Sequence, residues 1–183
     1  MFVFCREACQ KRAMITRHHT DGGTTSWATY SGCETYRFAL ARTWDSTGKR
    51  VMFVMLNPSK ATEQANDPTV GRCEARARAL GFGAFMVTNL FSLRETDPHA
   101  MRRHKAPIGE GTDQALLDGA AWADMTIAAW GVHGVHQGRD AAVIGLLRSA
   151  RLPLHCLGLT KAGHPRHPLY LPYSAQPVPW DLP

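Results

Sequence analysis

The chain has 183 residues, which is enough for one compact domain but short for two. Hydrophobic residues make up 44% of the sequence and charged residues 20%, so the composition excludes an intrinsically disordered chain. No apolar run reaches the ~20 residues that a membrane-spanning helix requires, and we expect a cytoplasmic protein without a membrane partner. The formal net charge of +6 favours a polyanionic partner such as nucleic acid.

Residues 1–13 show no apolar period and precede a second methionine, Met14. We interpret them as a leader, which is either poorly ordered or the product of an upstream start. The remaining residues, 14–183, are expected to form a single domain. Near its beginning, residues 25–31 and 35–44 alternate apolar and polar side chains, which predicts an antiparallel pair of strands.

Four short apolar runs follow, and each is typical of a buried parallel strand. They lie at residues 51–56, 84–90, 125–130 and 152–159. Helices are predicted between them, at residues 70–81, 112–124 and 138–150. This alternation predicts an α/β fold, a three-layer sandwich with a central, mostly parallel four-stranded sheet. A ligand site is expected at the carboxyl edge of those strands.

Polar residues follow the first two of these strands, where a ligand site is expected. Asn57, Pro58 and Ser59 come after the first strand, and Asn89 ends the second, with Arg94 beyond it. The amide of Asn89 is suited to reading the donor and acceptor of a pyrimidine edge, or to ending a strand by bonding to backbone. The Asn-Pro-Ser segment is also compatible with ordinary turn chemistry.

The other two strands also lead into polar and aromatic residues. Trp130 and His133 follow the third strand, and a basic loop at 160–172 follows the fourth. The side chains of interest in that loop are Lys161, His164, Arg166, His167 and Tyr170. Two histidines and two cations are able to seat a phosphate, or simply to form a solvated basic loop. We find no metal-binding or nucleotide-cofactor motif and expect neither a metal ion nor a cofactor.

Four short motifs occur in order over residues 51–172: MLNPS at 55–59, DPTVGR at 67–72, VTNLFSLRETDP at 87–98 and HPLYLP at 167–172. Together they resemble the motifs of the uracil-DNA glycosylase superfamily. MLNPS is similar to its first catalytic motif, and HPLYLP to its closing motif. The two middle motifs are similar to segments of its thermophilic branch. The chain also resembles a little-characterised bacterial and phage domain family with LNPS and PRHPLY motifs.

The resemblance implies a monofunctional glycosylase that flips uracil or a 5-modified uracil, such as 5-hydroxymethyluracil, out of DNA and hydrolyses its N-glycosidic bond. It implies that Asn57 positions the attacking water and that His167 hydrogen-bonds the base as negative charge develops. The residues expected to contact the base are Leu56, Pro58, Asn89, Phe91 and Trp130. Those expected to contact DNA are Ser59, Arg94, Lys161, Arg166 and Tyr170. Asn57, Asn89, Trp130 and His167 should therefore surround one cleft.

The chain departs from the thermophilic branch at several positions. Thr69 stands in place of a base-stacking phenylalanine, so stacking is expected from Phe91 or Trp130. Leu93 replaces a cluster cysteine, and we expect no iron–sulfur cluster. Leu169 and Tyr170 replace the Ser-Pro of the closing motif, which leaves the identity of the base open.

Two other functions stay open from the sequence. One is a non-catalytic nucleic-acid-binding module of the same fold, which the altered closing motif favours. The other is an enzyme that acts on free modified nucleotides, which would need a basic loop that reads a single phosphate. In each case we expect a monomer.

Overall fold

The computed structural model describes residues 13–151 and 153–180. Of the predicted leader, residues 1–12 lie outside the described residues. The strands are β1 (Ile15–Asp21), β2 (Thr24–Tyr30), β3 (Arg37–Thr43), β4 (Arg50–Met55), β5 (Ala84–Asn89), β6 (Met125–Ala128), β7 (Leu154–Cys156) and β8 (Val178–Pro179). The helices are α1 (Pro68–Ala79), α2 (Pro98–Arg103), α3 (Thr112–Trp122) and α4 (Arg139–Ser149). No helix in these ranges is long and apolar enough to cross a membrane.

All eight strands join one mixed sheet in the order β1-β2-β3-β5-β4-β6-β7-β8. Parallel pairings join β5 to β4, β4 to β6 and β6 to β7. The other four pairings are antiparallel. The α/β class is therefore confirmed, but the expected central, mostly parallel four-stranded sheet is wrong, because antiparallel pairings outnumber parallel ones in a sheet twice that size.

The predicted elements are present, and the additional strands lie at the ends of the sheet. The predicted antiparallel pair corresponds to β2 and β3, and β1 extends it on the outer side. The apolar alternation that marks a half-buried strand is missing from β1, whose sequence ITRHHTD is mostly exposed. At the other end, β8 has only two residues and pairs with β7.

Helices cover both faces of the sheet. Alternate residues of β4 point to opposite faces and enter two separate hydrophobic clusters. Helix α1 covers one face through Val70, Cys73 and Ala77. Helices α3 and α4 cover the other face through Leu116, Ala120, Val143 and Leu147.

Two buried arginines of β3 hold the chain segment that follows β4. Arg42 donates hydrogen bonds of 2.9 Å to the carbonyl oxygens of Thr62 and Glu63. Arg37 donates to the carbonyl oxygen of Ala61. Burial lowers the pKa of Arg37 to about 10, so this guanidinium stays charged at neutral pH. Segment 61–63 has no regular structure, and these arginines supply the donors that a neighbouring strand would otherwise provide.

Two arginines of α1 hold the segment that follows the basic loop in the same way. Arg72 donates to the carbonyl oxygen of Leu171 at 3.0 Å. Arg76 donates to three carbonyl oxygens between residues 172 and 175, at 2.7 to 3.1 Å. The 3-10 turn Pro168–Tyr170 lies directly before this segment. Helix α1 therefore fixes the end of the basic loop against the sheet.

Replacing Arg76 with methionine retains an apolar stem but removes the donors to three carbonyl oxygens. We expect the free energy of unfolding to fall by about 2 kcal/mol in urea titrations, because three partly buried carbonyl oxygens lose charge-assisted hydrogen bonds. The amide hydrogens of Leu171 and Ala175, which donate within this segment and the turn before it, should also exchange faster. The control Arg78→Met changes an exposed arginine of the same helix and should cost less than about 1 kcal/mol. Equal losses in the two variants would contradict the role given to Arg76.

Candidate functional site

A cavity of about 730 Å³ lies at the carboxyl ends of β4 and β6. We call it the edge cavity. Its walls come from the loop after β4, the start of α1, the segment before α2, the segment after β6 and the basic loop. This is the edge of the sheet at which α/β proteins bind ligands, because successive strand ends and their loops converge there.

Seven of the predicted site residues line the edge cavity: Leu56, Asn57, Ser59, Trp130, Arg166, His167 and Tyr170. Asn57 and His167 are 110 positions apart in the sequence, and the parallel strands bring them to the same cavity. Trp130 contributes to the wall although it is only 1% exposed, and its ring meets that of Trp180 edge to face at 5.5 Å.

Three of the residues expected to contact the base do not line the cavity. Asn89 pairs with Met55 inside the sheet and is only 3% exposed. Phe91 is fully buried, with its ring 5.7 Å from that of His136. Pro58 is buried, and its carbonyl oxygen accepts hydrogen bonds within the loop. Asn89, Phe91 and Pro58 therefore lie outside the lining of this cavity, and their contacts with a base stay predictions.

Two of the residues expected to contact DNA are also placed elsewhere. Arg94 donates to the carbonyl oxygen of Glu34 at 3.2 Å and lies over the Tyr30 ring at 5.3 Å. It therefore holds the β2–β3 connection and does not reach the cavity wall. Lys161 is exposed and does not line the cavity, whereas Lys60 does.

Hydrogen bonds to backbone orient the Asn57 side chain. Its Nδ2 donates to the carbonyl oxygens of Glu95 at 2.6 Å and Pro58 at 3.1 Å. The N–H of Glu95 in turn donates to the Pro58 carbonyl at 2.9 Å, which holds the two loops together. Within the described ranges, Asn57 Oδ1 accepts no hydrogen bond. The amide therefore presents a fixed acceptor at the cavity wall.

The position of His167 in a tight turn determines its protonation. His167 caps the 3-10 turn Pro168–Tyr170, and its Nδ1 accepts a hydrogen bond of 3.3 Å from the N–H of Leu169. Burial lowers the pKa of His167 to about 4, against an opposing effect of the Asp67 carboxylate. At neutral pH the imidazole is therefore uncharged, with its proton on Nε2.

Asp67 is a residue of the wall that the sequence reasoning did not select. Its carboxylate accepts hydrogen bonds from the N–H groups of Val70 at 2.8 Å and Ala61 at 3.3 Å. The first of these caps α1, and Asp-Pro directly before a helical pattern is the signal that could have located it. The same carboxylate lies in the edge cavity and acts electrostatically on His167.

The charge on the cavity wall is mixed. Lys60 and Arg166 contribute positive charge, while Asp67 and Glu95 contribute negative charge. The wall of the edge cavity is therefore not uniformly basic. Among the described residues, no group of three or more His, Cys, Asp or Glu side chains is arranged to hold a metal ion.

Comparison with known proteins identifies a family but no characterised relative. The sequence model of a protein family described as a protein of unknown function, DUF1643, matches residues 37–169. This range includes β3 to β7 and all predicted site residues except Tyr170. Comparisons with curated proteins and with solved structures gave no match.

The neutral state of His167 makes folding stability depend on pH. Between about pH 4 and its ordinary value of 6.5, the unfolded chain binds a proton at this histidine that the folded chain does not. Stability should therefore fall as pH decreases through this window, by at most about 1.4 kcal/mol per pH unit from this group. Urea unfolding of the wild type and His167→Gln at pH 7 and pH 5 measures the effect.

The His167→Gln variant should lose less stability between pH 7 and pH 5 than the wild type does. The matched control is His18→Gln, which changes an exposed histidine of β1 and should leave the wild-type pH dependence in place. If His167→Gln keeps the full wild-type pH dependence, the imidazole is not held neutral by burial.

Proposed function

This chain belongs to the DUF1643 family of unknown function, and we propose that it is a DNA glycosylase that removes uracil or a 5-modified uracil from DNA. The observation that carries the proposal is the presence of Asn57 and a neutral His167 on the wall of one cavity at the carboxyl edge of the sheet. The motif order that resembles the uracil-DNA glycosylase superfamily supports the same reaction.

In the proposed reaction, His167 acts on the leaving base. When the bond between the sugar C1′ and the base N1 breaks, its electron pair stays on the pyrimidine, whose oxygens become negatively charged. The Nε2–H of a neutral imidazole is a donor that meets this charge as it develops. A donor oriented in advance by the Leu169 N–H bond requires little rearrangement at the transition state.

On the opposite side of the breaking bond, Asn57 and Asp67 act on the sugar and the water. The Oδ1 of Asn57 accepts a hydrogen bond from the water that attacks C1′. The Asp67 carboxylate contributes negative charge near the cationic sugar, where it lowers the energy of the transition state. The water adds its oxygen to C1′ and loses one proton, which the released pyrimidine anion takes up from the solvent, so the products are an abasic sugar and the neutral base.

The size of the edge cavity supports a modified base. A water molecule occupies ~30 Å³ in the liquid, and we take about half of that volume for each covalently bonded non-hydrogen atom. On this basis the uracil ring with its two oxygens occupies on the order of 120 Å³. The cavity of about 730 Å³ leaves room for the sugar and for a substituent at C5 of the base. Tyr170, which is 75% exposed, and Leu56 lie on the cavity wall, where their side chains can pack against the base.

Duplex and single-stranded oligonucleotides with one uracil, one 5-hydroxymethyluracil or one thymine test this proposal. Treatment with alkali after incubation converts each abasic site into a strand break. We expect breaks at uracil or 5-hydroxymethyluracil. Asn57→Ala and His167→Ala should be at least ~10²-fold slower with nearly unchanged DNA affinity, because both side chains act in the transition state. His18→Ala should keep the wild-type rate.

Wild-type rates in both Asn57→Ala and His167→Ala would contradict the assigned site. A second candidate is a non-catalytic nucleic-acid-binding module, and the burial of Asn89 away from the cavity favours it. Tight binding of the modified strands without any base release would support that candidate. Activity confined to mononucleotides would instead indicate an enzyme of free modified nucleotides.

Of the three basic residues expected to contact DNA, Arg94, Lys161 and Arg166, it is Arg166 that lines the cavity, and its side chain is exposed. We expect Arg166→Ala to reduce the dependence of DNA affinity on salt by about 0.9 in a log–log plot, the contribution of one phosphate contact. The control Lys49→Ala changes an exposed lysine at the other end of β4. Equal slopes for Arg166→Ala and the wild type would show that Arg166 does not contact phosphate.

A further inference from the structure

Three nitrogen-rich side chains outside the residues used so far form a chain of contacts that begins at the wall of the edge cavity. His133 lines the cavity after β6, while His99 and Arg102 belong to α2. The His99 and His133 rings are 5.8 Å apart, nearly edge to face, and Arg102 Nη2 lies 2.7 Å from His99 Nδ1. We call these three residues the α2 cluster.

The positive charge of Arg102 is not balanced by a carboxylate. In the part of the chain that the structure describes, Arg102 forms no ion pair, and its buried Nε has no hydrogen-bond partner. Asp97 is the nearby acidic residue, but its carboxylate accepts the N–H groups of His99 and Ala100. It also lies 4.0 Å from the neighbouring Arg103. A partly buried cation without a counter-charge is typical of a site that receives an anion.

The hydrogen bond between Arg102 and His99 determines which donors the cluster offers. A guanidinium only donates, so Nδ1 of His99 must accept and its ring proton lies on Nε2. Burial first, and the nearby positive charge of Arg102 second, lower the pKa of His133, so its imidazole is uncharged at neutral pH. The α2 cluster thus combines one charged and two neutral nitrogen donors.

We propose that the α2 cluster binds a phosphate group beside the edge cavity, next to the wall residue His133. Planar guanidinium and imidazole donors are well matched to phosphate oxygens. Thr96, whose hydroxyl is 3.1 Å from that of Ser59, lies on the same wall and supplies a further polar contact. If the phosphate belongs to a DNA strand, it is one next to the flipped nucleotide, and that part of the inference rests on the proposed function.

Binding measurements without turnover test this proposal. Three probes are titrated by calorimetry: inorganic phosphate, deoxyuridine monophosphate and a single-stranded oligonucleotide with one uracil. We expect Arg102→Gln to weaken binding of at least one probe roughly tenfold, the effect of losing one charge-assisted hydrogen bond. The control Arg103→Gln, the same substitution one position along α2, should stay within about twofold of the wild type.

An oligonucleotide with uncharged methylphosphonate linkages on both sides of the uracil identifies the source of the phosphate. A strand phosphate is indicated if neutral linkages weaken wild-type binding but cause no further loss in Arg102→Gln. A nucleotide monoester is indicated if Arg102→Gln affects only the monophosphate. Both results support a phosphate site, and they distinguish its two sources.

The proposal is overturned if the wild type binds none of the three probes, or if Arg102→Gln and Arg103→Gln behave alike. Should Arg102→Gln fail to fold by circular dichroism, His133→Gln against His18→Gln repeats the comparison at the cavity wall. Phosphate binding that depends on Arg102 without base release would contradict the glycosylase alone. Base release with unchanged binding in Arg102→Gln would contradict the phosphate site alone.

Discussion

Carbonyl oxygens in irregular segments lack the donors that a helix or strand provides, and in this protein arginine side chains supply several of them. Arg42 of β3 binds the segment after β4, Arg76 of α1 binds the segment after the basic loop, and Arg139 of α4 binds the Leu90 carbonyl at 2.8 Å. Each such carbonyl would cost roughly 1–3 kcal/mol if it were buried unpaired. The loops that form the edge cavity are therefore held by side chains of the sheet and helices beneath them.

Because many arginines bind backbone carbonyls, the excess of basic residues is weaker evidence for a polyanionic partner than the net charge suggests. Arg37, Arg42, Arg76 and Arg139 are at least 94% buried, and Arg94 is used between loops. Much of the excess of arginine therefore stabilises the fold. The net charge alone is consequently weak support for nucleic acid. Arg166 at the cavity wall and the α2 cluster beside it are the groups that support a phosphate-bearing ligand.

The central strands could be predicted because each is a short apolar run in the sequence. The apolar run at 51–56 became β4 with a shift of one residue, and the run at 84–90 became β5. The outer strands could not be predicted in the same way. β1 is largely exposed, so its pairing with β2 depends on backbone hydrogen bonds that leave no apolar pattern.

For the candidate site, too, the sequence predicts what depends on local patterns and does not predict what depends on three-dimensional contacts. Asn57 and His167 were found because residues that follow strands converge at one edge of the sheet, whatever their partners. The sequence does not show that Asn89 pairs with Met55 inside the sheet and stays outside the cavity lining, because strand pairing is a three-dimensional property. Asp67 was overlooked because capping explains an aspartate before a helix equally well, and only the cavity shows its second role.

We propose that the edge cavity presents an uncharged His167, whose Nε2–H donates a hydrogen bond to a pyrimidine base. The most direct measurement is nitrogen NMR of the His167 imidazole at pH 6, with and without a duplex that contains an uncleavable 2′-fluoro-deoxyuridine. We predict an uncharged ring with its proton on Nε2 and a shift of that Nε2–H resonance when the duplex binds. A charged imidazolium at pH 6, or an Nε2–H resonance that the bound duplex leaves unchanged, would contradict the account.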